Sequence, residues 1–453
     1  INVLFFGLAG CCILHQSNRF GPNISAQNMS RHPLPHQACR ISVYEVNTRQ
    51  YTQEGTFSAF SRHLDRLADM GIDILWFMPV TPISQQGRKG TLGSYYAASD
   101  HRSVNPEFGS LQDFQALVKK AHQLGMRVII DWVANHTGCD HHWTQTHPEF
   151  YKRNEDGQFF DAHGWDDVID LDYNHPGIRK EMIDSMRWWI DQCGIDGFRC
   201  DMAMLTPADF WAEARAALDL VKPLFWLAEL DPLENPQHMT VFDAGYAWRW
   251  MHASREFLEP WHHRVHQLVE TLHKYANPQE NPGWPAWFTS NHDENSWNGT
   301  EYEKYGDMAL PLAVFSCTWP GIFLMYSGQE LPNNKRLAFF DRDPIEWTTD
   351  VPGLHNFFKQ LLGLRNTHPA FSTGNALRLQ TSHDNHVFSY LRITENSAIL
   401  VVLNLSGYRH WDFTIRDVRL SGSFTELFSG KEQDFAQDSG IDLAPWAYQV
   451  WHR

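Results

Sequence analysis

The chain has 453 residues, 43% of them apolar and 20% charged, enough to bury a large core and too little charge for a disordered chain. Its formal net charge is -16, which argues against a nucleic-acid binder with a basic face and is compatible with a neutral substrate. Cys11, Cys12, Cys39, Cys139, Cys193, Cys200 and Cys317 are widely spaced and odd in number, so neither a disulfide framework nor a zinc site is readable.

Ile1 to Leu14 is an apolar run too short to span a bilayer. It has the character of the apolar core of a secretory signal. Within it, Leu8-Ala9-Gly10-Cys11 resembles the lipobox of bacterial lipoproteins, in which the Cys is lipidated after cleavage. The expectation is an extracytoplasmic protein, periplasmic or on the bacterial cell surface, touching a membrane only through a lipid on Cys11. Residues 15–37 are rich in Asn, Ser, His and Pro and read as a tether, so 1–38 stand apart from the folded chain.

From there short apolar runs alternate with amphipathic stretches. Strands are predicted at Ile41–Asn47, Ile72–Val80, Arg127–Trp132, Ile195–Asp201, Leu224–Leu230, Thr240–Tyr246, Pro285–Asn291 and Gly321–Tyr326. Helix-like stretches include Phe57–Met70, Leu111–Leu124, Ile178–Gln192 and Asp209–Leu220. Eight such units over about 300 residues predict an α/β fold, a (β/α)8 barrel covering 39–372. The barrel is interrupted after its third strand by residues 137–177, rich in His, Asp, Trp and Gly, which read as a short inserted domain. Beyond residue 373 no helical pattern intervenes. Val387–Leu391, Ala398–Leu403, Trp411–Ile415, Ser423–Leu427 and Tyr448–Trp451 predict an all-β sandwich over 373–453.

Barrel enzymes place their reactive residues at the C-terminal ends of strands. Here the third strand runs into Asp131-Trp132-Val133-Ala134-Asn135-His136 and the fourth ends in Gly197-Phe198-Arg199-Cys200-Asp201. The fifth ends in Ala228-Glu229 and the seventh in Asn291-His292-Asp293. A lone Asp at such a place is often a helix cap. Four acidic or His-bearing strand ends in one barrel point instead to paired-carboxylate chemistry.

These four stretches resemble the sequence signatures of the α-amylase family, with a bacterial α-amylase-like character. Gly93-Ser94-Tyr95-Tyr96 through Asp100, Asn105-Pro106-Glu107-Phe108-Gly109, Asp170-Leu171-Asp172-Tyr173 and Tyr326-Ser327-Gly328-Gln329-Glu330 extend the likeness from about residue 39 to the end of the chain. The resemblance implies a retaining glycoside hydrolase cutting α-1,4-glucosidic bonds of α-glucans or malto-oligosaccharides. Asp201 would attack as nucleophile, Glu229 would serve as acid and base, and Asp293 would hold sugar hydroxyls. Tyr96 would stack beneath the sugar, with His136, His292 and Arg199 binding around it. Asp131 and Asn135 would support them from behind.

Retention asks for two carboxyl groups about 5–5.5 Å apart, one ionised and one protonated. Arg199 precedes Asp201 by two residues and shares its side of the strand, so its cation should keep Asp201 ionised. Neutral imidazoles suit His136 and His292, since each can donate and accept.

No cofactor is required by this chemistry. Asn135 resembles a ligand of the structural calcium of many relatives, but Leu205 stands where those relatives carry a His. No metal ligand is therefore assigned, and Asp161 to Asp172 is the acidic stretch left for an ion. Met204 and Leu205 replace a Lys-His pair common among starch-cutting relatives. Two alternatives share the scaffold: a transglycosylase or isomerase acting on α-glucosides, and a non-catalytic glucan-binding protein.

Overall fold

The computed structural model describes residues 38–258, 265–276, 283–331, 333–347, 352–373, 375–415, 417–435 and 441–453. The lipobox-like Cys11 and the tether lie outside them. Within them, no helix is long and apolar enough to cross a membrane. Cys39, Cys139, Cys193, Cys200 and Cys317 are free thiols.

Eight parallel strands close into a barrel. They are β1 (Ser42–Val46), β2 (Ile74–Phe77), β3 (Arg127–Trp132), β4 (Gly197–Cys200), β5 (Phe225–Ala228), β6 (Ala244–Tyr246), β7 (Trp284–Trp287) and β8 (Ile322–Tyr326). Each lies inside or within a residue of its predicted run. β2, β4 and β5 are shorter than expected, because residues past their last ladder bonds bend into the loops that build the site. The strands are buried almost throughout, as expected where helices cover a parallel sheet. Helices at Leu111–Gln123, Pro176–Cys193 and Ala208–Leu218 match three predicted stretches. The first starts in a capping box, with Ser110 and Asp113 satisfying each other's backbone N–H groups. Phe57–Met70 is broken into two α segments around the 3-10 turn Ser61–His63.

Close strand contact sets one backbone position. Gly197, at φ +153°, opens β4, and a Cβ there would lie 1.9 Å from the Phe225 carbonyl oxygen of β5. Only glycine lets the two strands approach at that point.

The inserted segment is tied to the barrel. Its ribbon pairs His136–Gly138 with Val168–Asp170. Trp143, Phe150, Tyr151 and Ile169 join the barrel's own hydrophobic cluster, so the segment has no separate core. Asp170 has a fully buried side chain. It accepts a bond from Asn135 Nδ2 at 3.3 Å on Oδ1 and from Lys152 Nζ at 3.0 Å on Oδ2. Asp161, His163 and Asp170 bring one ligating atom each within 4.8 Å of one another. Calcium needs six to eight oxygens. This cluster offers too few oxygens, and an ammonium already sits on Asp170. The residues around Asn135 and Asp170 therefore do not fit a calcium ion; Lys152 supplies the positive charge instead.

The C-terminal part is all β. A six-stranded sheet runs β9 (Asn375–Leu379), β10 (Val387–Ile393), β11 (Ala398–Asn404), β16 (Tyr448–His452), β13 (Ser423–Glu426) and β14 (Glu432–Asp434), and β12 (His410–Phe413) pairs with β15 (Ile441–Leu443). The faces divide with the period of two expected of strands. Leu391, Leu400 and Val402 pack with Phe413 and Leu443 in a second cluster. Tyr390 and Val401 face the barrel, where the Tyr390 hydroxyl meets Thr318 Oγ1 at 2.5 Å. β9, β14 and β15 were not predicted: β14 is three polar residues with no apolar alternation, and β15 is equally short.

Two outcomes are expected. Gly197→Ala should cost at least about 3 kcal/mol, from a clash with backbone plus an unfavourable φ, read as a lowered denaturant midpoint. Excess EDTA should leave the melting temperature unchanged, whereas Lys152→Met should destabilise by about 1–3 kcal/mol, less than a fully buried pair because the ammonium is partly solvated. A large EDTA-induced drop would show that a metal, and not Lys152, balances Asp170.

Candidate active site

The centre of the site is the guanidinium of Arg199, which is fully buried. β3 and β4 pair Asp131 with Arg199, so both side chains enter the barrel at one level. Nη1 of Arg199 donates to Asp131 Oδ1 at 2.9 Å and to Asp201 Oδ1 at 3.0 Å. Nη2 lies 3.0 Å from Glu229 Oε2, an ion-pair contact without hydrogen-bond alignment. Nε donates to the Tyr246 hydroxyl at 3.2 Å, and the guanidinium carbon sits 4.8 Å from the centre of the Trp76 ring. One cation thus touches three carboxylates from three adjacent strand ends.

Burial and the neighbouring Glu229 charge push the Asp201 carboxyl well up, against the pull of Arg199. Burial likewise raises Asp131 to about 6, although Arg199 opposes it. At Asp201 burial and the Glu229 charge thus outweigh Arg199, against the expectation that Arg199 would keep it ionised.

Backbone geometry locks the pair. Met202, directly after Asp201, adopts φ 37°, a left-handed conformation costly for a side-chain-bearing residue. The turn aims its N–H at Glu229 Oε2, 2.8 Å away.

A second knot surrounds His292. Its Nδ1 lies 2.5 Å from Glu45 Oε1, and its Nε2 lies 2.7 Å from the Tyr96 hydroxyl and 3.3 Å from Asp293 Oδ2. Tyr96 and His292 stack with centroids 5.5 Å apart, and the Tyr96 hydroxyl also bonds Asp131 Oδ2 at 3.1 Å. Burial alone would lower His292, but the Asp293 and Glu45 carboxylates outweigh it and raise the imidazole to about 9. His292 is therefore an imidazolium at neutral pH, which corrects the expectation of a neutral ring. His136 is different: burial dominates and lowers it to about 4, so it is neutral as expected.

These groups floor and wall a cavity of about 460 Å³. Tyr96, His136, Asp201, Glu229 and Asp293 line it. Arg199, His292 and Asp131 sit behind them, within the hydrogen-bond network. Asn135 turns toward Asp170 and His136. Tyr95 packs inward, its hydroxyl on Asn47 and its ring under Arg49. Met202 lines the cavity, whereas Met204 and Leu205 do not.

Sequence reasoning missed Glu45, Lys89, Trp165, Trp297, Phe339 and Phe340. Glu45 had a signal: a carboxylate in the middle of the buried strand β1 needs a partner. Lys89, Trp165, Phe339 and Phe340 lie on irregular loops and Trp297 in the short π-helical turn Glu294–Asn298, where no periodicity marks them. Trp165, Trp297, Phe339 and Phe340 give the cavity aromatic walls of the kind that stack on ring faces.

The family model "Alpha amylase, catalytic domain" matches residues 43–165 and 149–216, which hold β1 to β4 and Asp201. The chain is 26% identical over 422 residues to the α-amylase MalA of Haloarcula japonica, covering 87% of this chain and 59% of the relative. It is 27% identical over 461 residues to an α-1,4-glucan:maltose-1-phosphate maltosyltransferase of Bifidobacterium longum, covering 90% and 59%. The chain thus spans about three-fifths of the length of these curated relatives. Among solved structures, the maltogenic α-amylase AmyB of Thermotoga neapolitana matches 92% of this chain and 99% of its own, at 28% identity and a TM-score of 0.83. An α-amylase of Lactobacillus plantarum matches 92% and 100%, at 27% identity and a TM-score of 0.82. With an eight-stranded barrel, this cluster of carboxylates at its strand ends and these likenesses, the chain is similar in sequence and fold to α-amylase family proteins.

Proposed function

We propose that the protein is a retaining glycoside hydrolase that cleaves α-1,4-glucosidic bonds of starch-derived glucans or malto-oligosaccharides. The observation that carries this reading is the Asp201–Arg199–Glu229 contact: two carboxyl groups on adjacent strand ends, bound to one guanidinium, opening into one cavity.

Asp201 attacks the anomeric carbon as a carboxylate and forms a glycosyl ester. Glu229 gives its proton to the departing glycosidic oxygen as that bond breaks. The deprotonated Glu229 then takes a proton from water as the water oxygen displaces Asp201, and the cycle closes with Glu229 protonated again. Arg199 stays charged throughout and limits the repulsion when both carboxyls are ionised. Asp293 faces sugar hydroxyls with the His292 imidazolium behind it, Tyr96 lies under the ring, and neutral His136 donates at its edge.

A second reading keeps the glycosyl ester but resolves it with a sugar hydroxyl in place of water. It is favoured by the likeness to maltosyltransferases and by the apolar Met202 beside Glu229, where the acceptor would enter.

Incubation with maltoheptaose, followed by chromatography of the products, tests both. Shorter oligosaccharides are expected from the wild type, with Asp201→Asn and Glu229→Gln slowed by on the order of 10³–10⁴-fold while keeping the fold. Products longer than the input would favour the second reading. An unreduced rate for Asp201→Asn would remove Asp201 from its assigned role.

The His292 charge gives a pH dependence. With its pKa raised to about 9, the imidazolium stabilises the fold fully below the ordinary imidazole range, and that contribution disappears as pH rises through about 9. Activity and melting temperature should therefore fall together on the alkaline side. Glu45→Gln should move that fall toward lower pH, since one of the two carboxylates that hold the proton is gone. A pH profile indifferent to Glu45→Gln would contradict the assignment.

A further inference from the structure

The loop between β2 and Tyr96 is fastened at both ends to other parts of the rim. At one end the backbone N–H groups of Gln85 and Gln86 donate to Asp140 Oδ2 at 2.8 and 3.0 Å. There Lys89 Nζ also lies 2.7 Å from Asp166 and 3.1 Å from Asp167, both on the inserted segment. At the other end Thr91 donates to Asp341 Oδ1 through its N–H at 2.7 Å and its hydroxyl at 2.5 Å. Leu92 N–H bonds the Phe340 carbonyl at 3.0 Å. Gly90 lies so close to Phe340 that a Cβ would come within 2.6 Å of the Phe340 Cβ. The loop thus bridges the inserted segment and the segment after β8.

The position of this bridge matters. Phe339 is stacked with Tyr96, 6.3 Å between centroids at 18°, so the bridge stands behind the ring that would carry the sugar under attack. Glu229 and Met202 line the same cavity, and the leaving chain must pass beside Glu229 because it protonates its oxygen. An endo-acting site needs a groove open at both ends; here the bridge brings Lys89, held on two carboxylates, into the cavity lining.

Resting on the glucan-cleaving reading above, we propose that the bridge 85–92 closes the site ahead of the attacked sugar and makes the enzyme exo-acting. It would accept the free non-reducing end of an α-glucan and release short units from it. Lys89 is then a specificity-determining residue, acting by holding the wall.

The test uses the full chain and two substrates: maltoheptaose, and maltoheptaose carrying an ethylidene block on its non-reducing end. Exo action predicts that the blocked sugar is cut at least ~10-fold more slowly than the free one. Lys89→Ala and Thr91→Val, each removing one side-chain tie of the bridge, should raise the relative rate on the blocked sugar severalfold. Equal rates on both substrates in the wild type would overturn the proposal while leaving the hydrolase reading intact. Cleavage of neither would remove the hydrolase reading and this inference with it. If either variant fails to fold, the wild-type comparison decides alone; if both fold and neither changes the ratio, the bridge is not the wall.

Discussion

The site is organised around one buried cation. Arg199 has no water to solvate it, so it must be surrounded by acceptors, and the strand ends of β3, β4 and β5 provide them. Removing Arg199 would leave three carboxylates without their shared cation in a low-dielectric core. Three carboxylates share the one cation, and burial raises Asp131 and Asp201 against its pull. The same imbalance that makes the cluster expensive to bury is what a proton-transfer pair needs. The structural and chemical demands therefore fall on the same atoms.

His292 shows the mirror arrangement on the neighbouring side of the cavity. There one imidazole is held between Glu45 and Asp293, with Tyr96 against its face. The carboxylates again decide the charge state, this time by retaining a proton on nitrogen. Tyr96 links the two clusters, since its hydroxyl reaches both Asp131 and His292. The network is continuous from Glu45 on β1 to Glu229 beyond β5.

Much of this was legible in the residues. Apolar runs such as Arg127–Trp132 located the barrel strands, because a strand covered on both faces is apolar along its length. The acidic and His residues at their ends were visible for the opposite reason: polar groups are anomalous there unless they act together. What was hidden is whatever depends on approach between distant segments. Asn135 resembled a calcium ligand and Leu205 spoke against one, but the ammonium that meets Asp170 comes from Lys152 on the inserted segment, and nothing in the local pattern joins the two. The charge on His292 was misread for the same reason, since Glu45 lies 247 positions away. Short polar strands such as β14 were hidden because three residues carry no periodicity.

The left-handed turn at Met202 has a consequence for how the two reactive carboxyls are spaced. Most side-chain pairs are positioned by rotamers, which hop and relax independently. Here the peptide group that follows Asp201 also supplies the N–H that anchors Glu229. The separation is consequently gauged by one rigid plane, and a displacement of either strand end carries both groups with it. The precision of the pair resides in the main chain, so it can survive wide variation of the side chain at position 202 while remaining sensitive to any change that relaxes the turn.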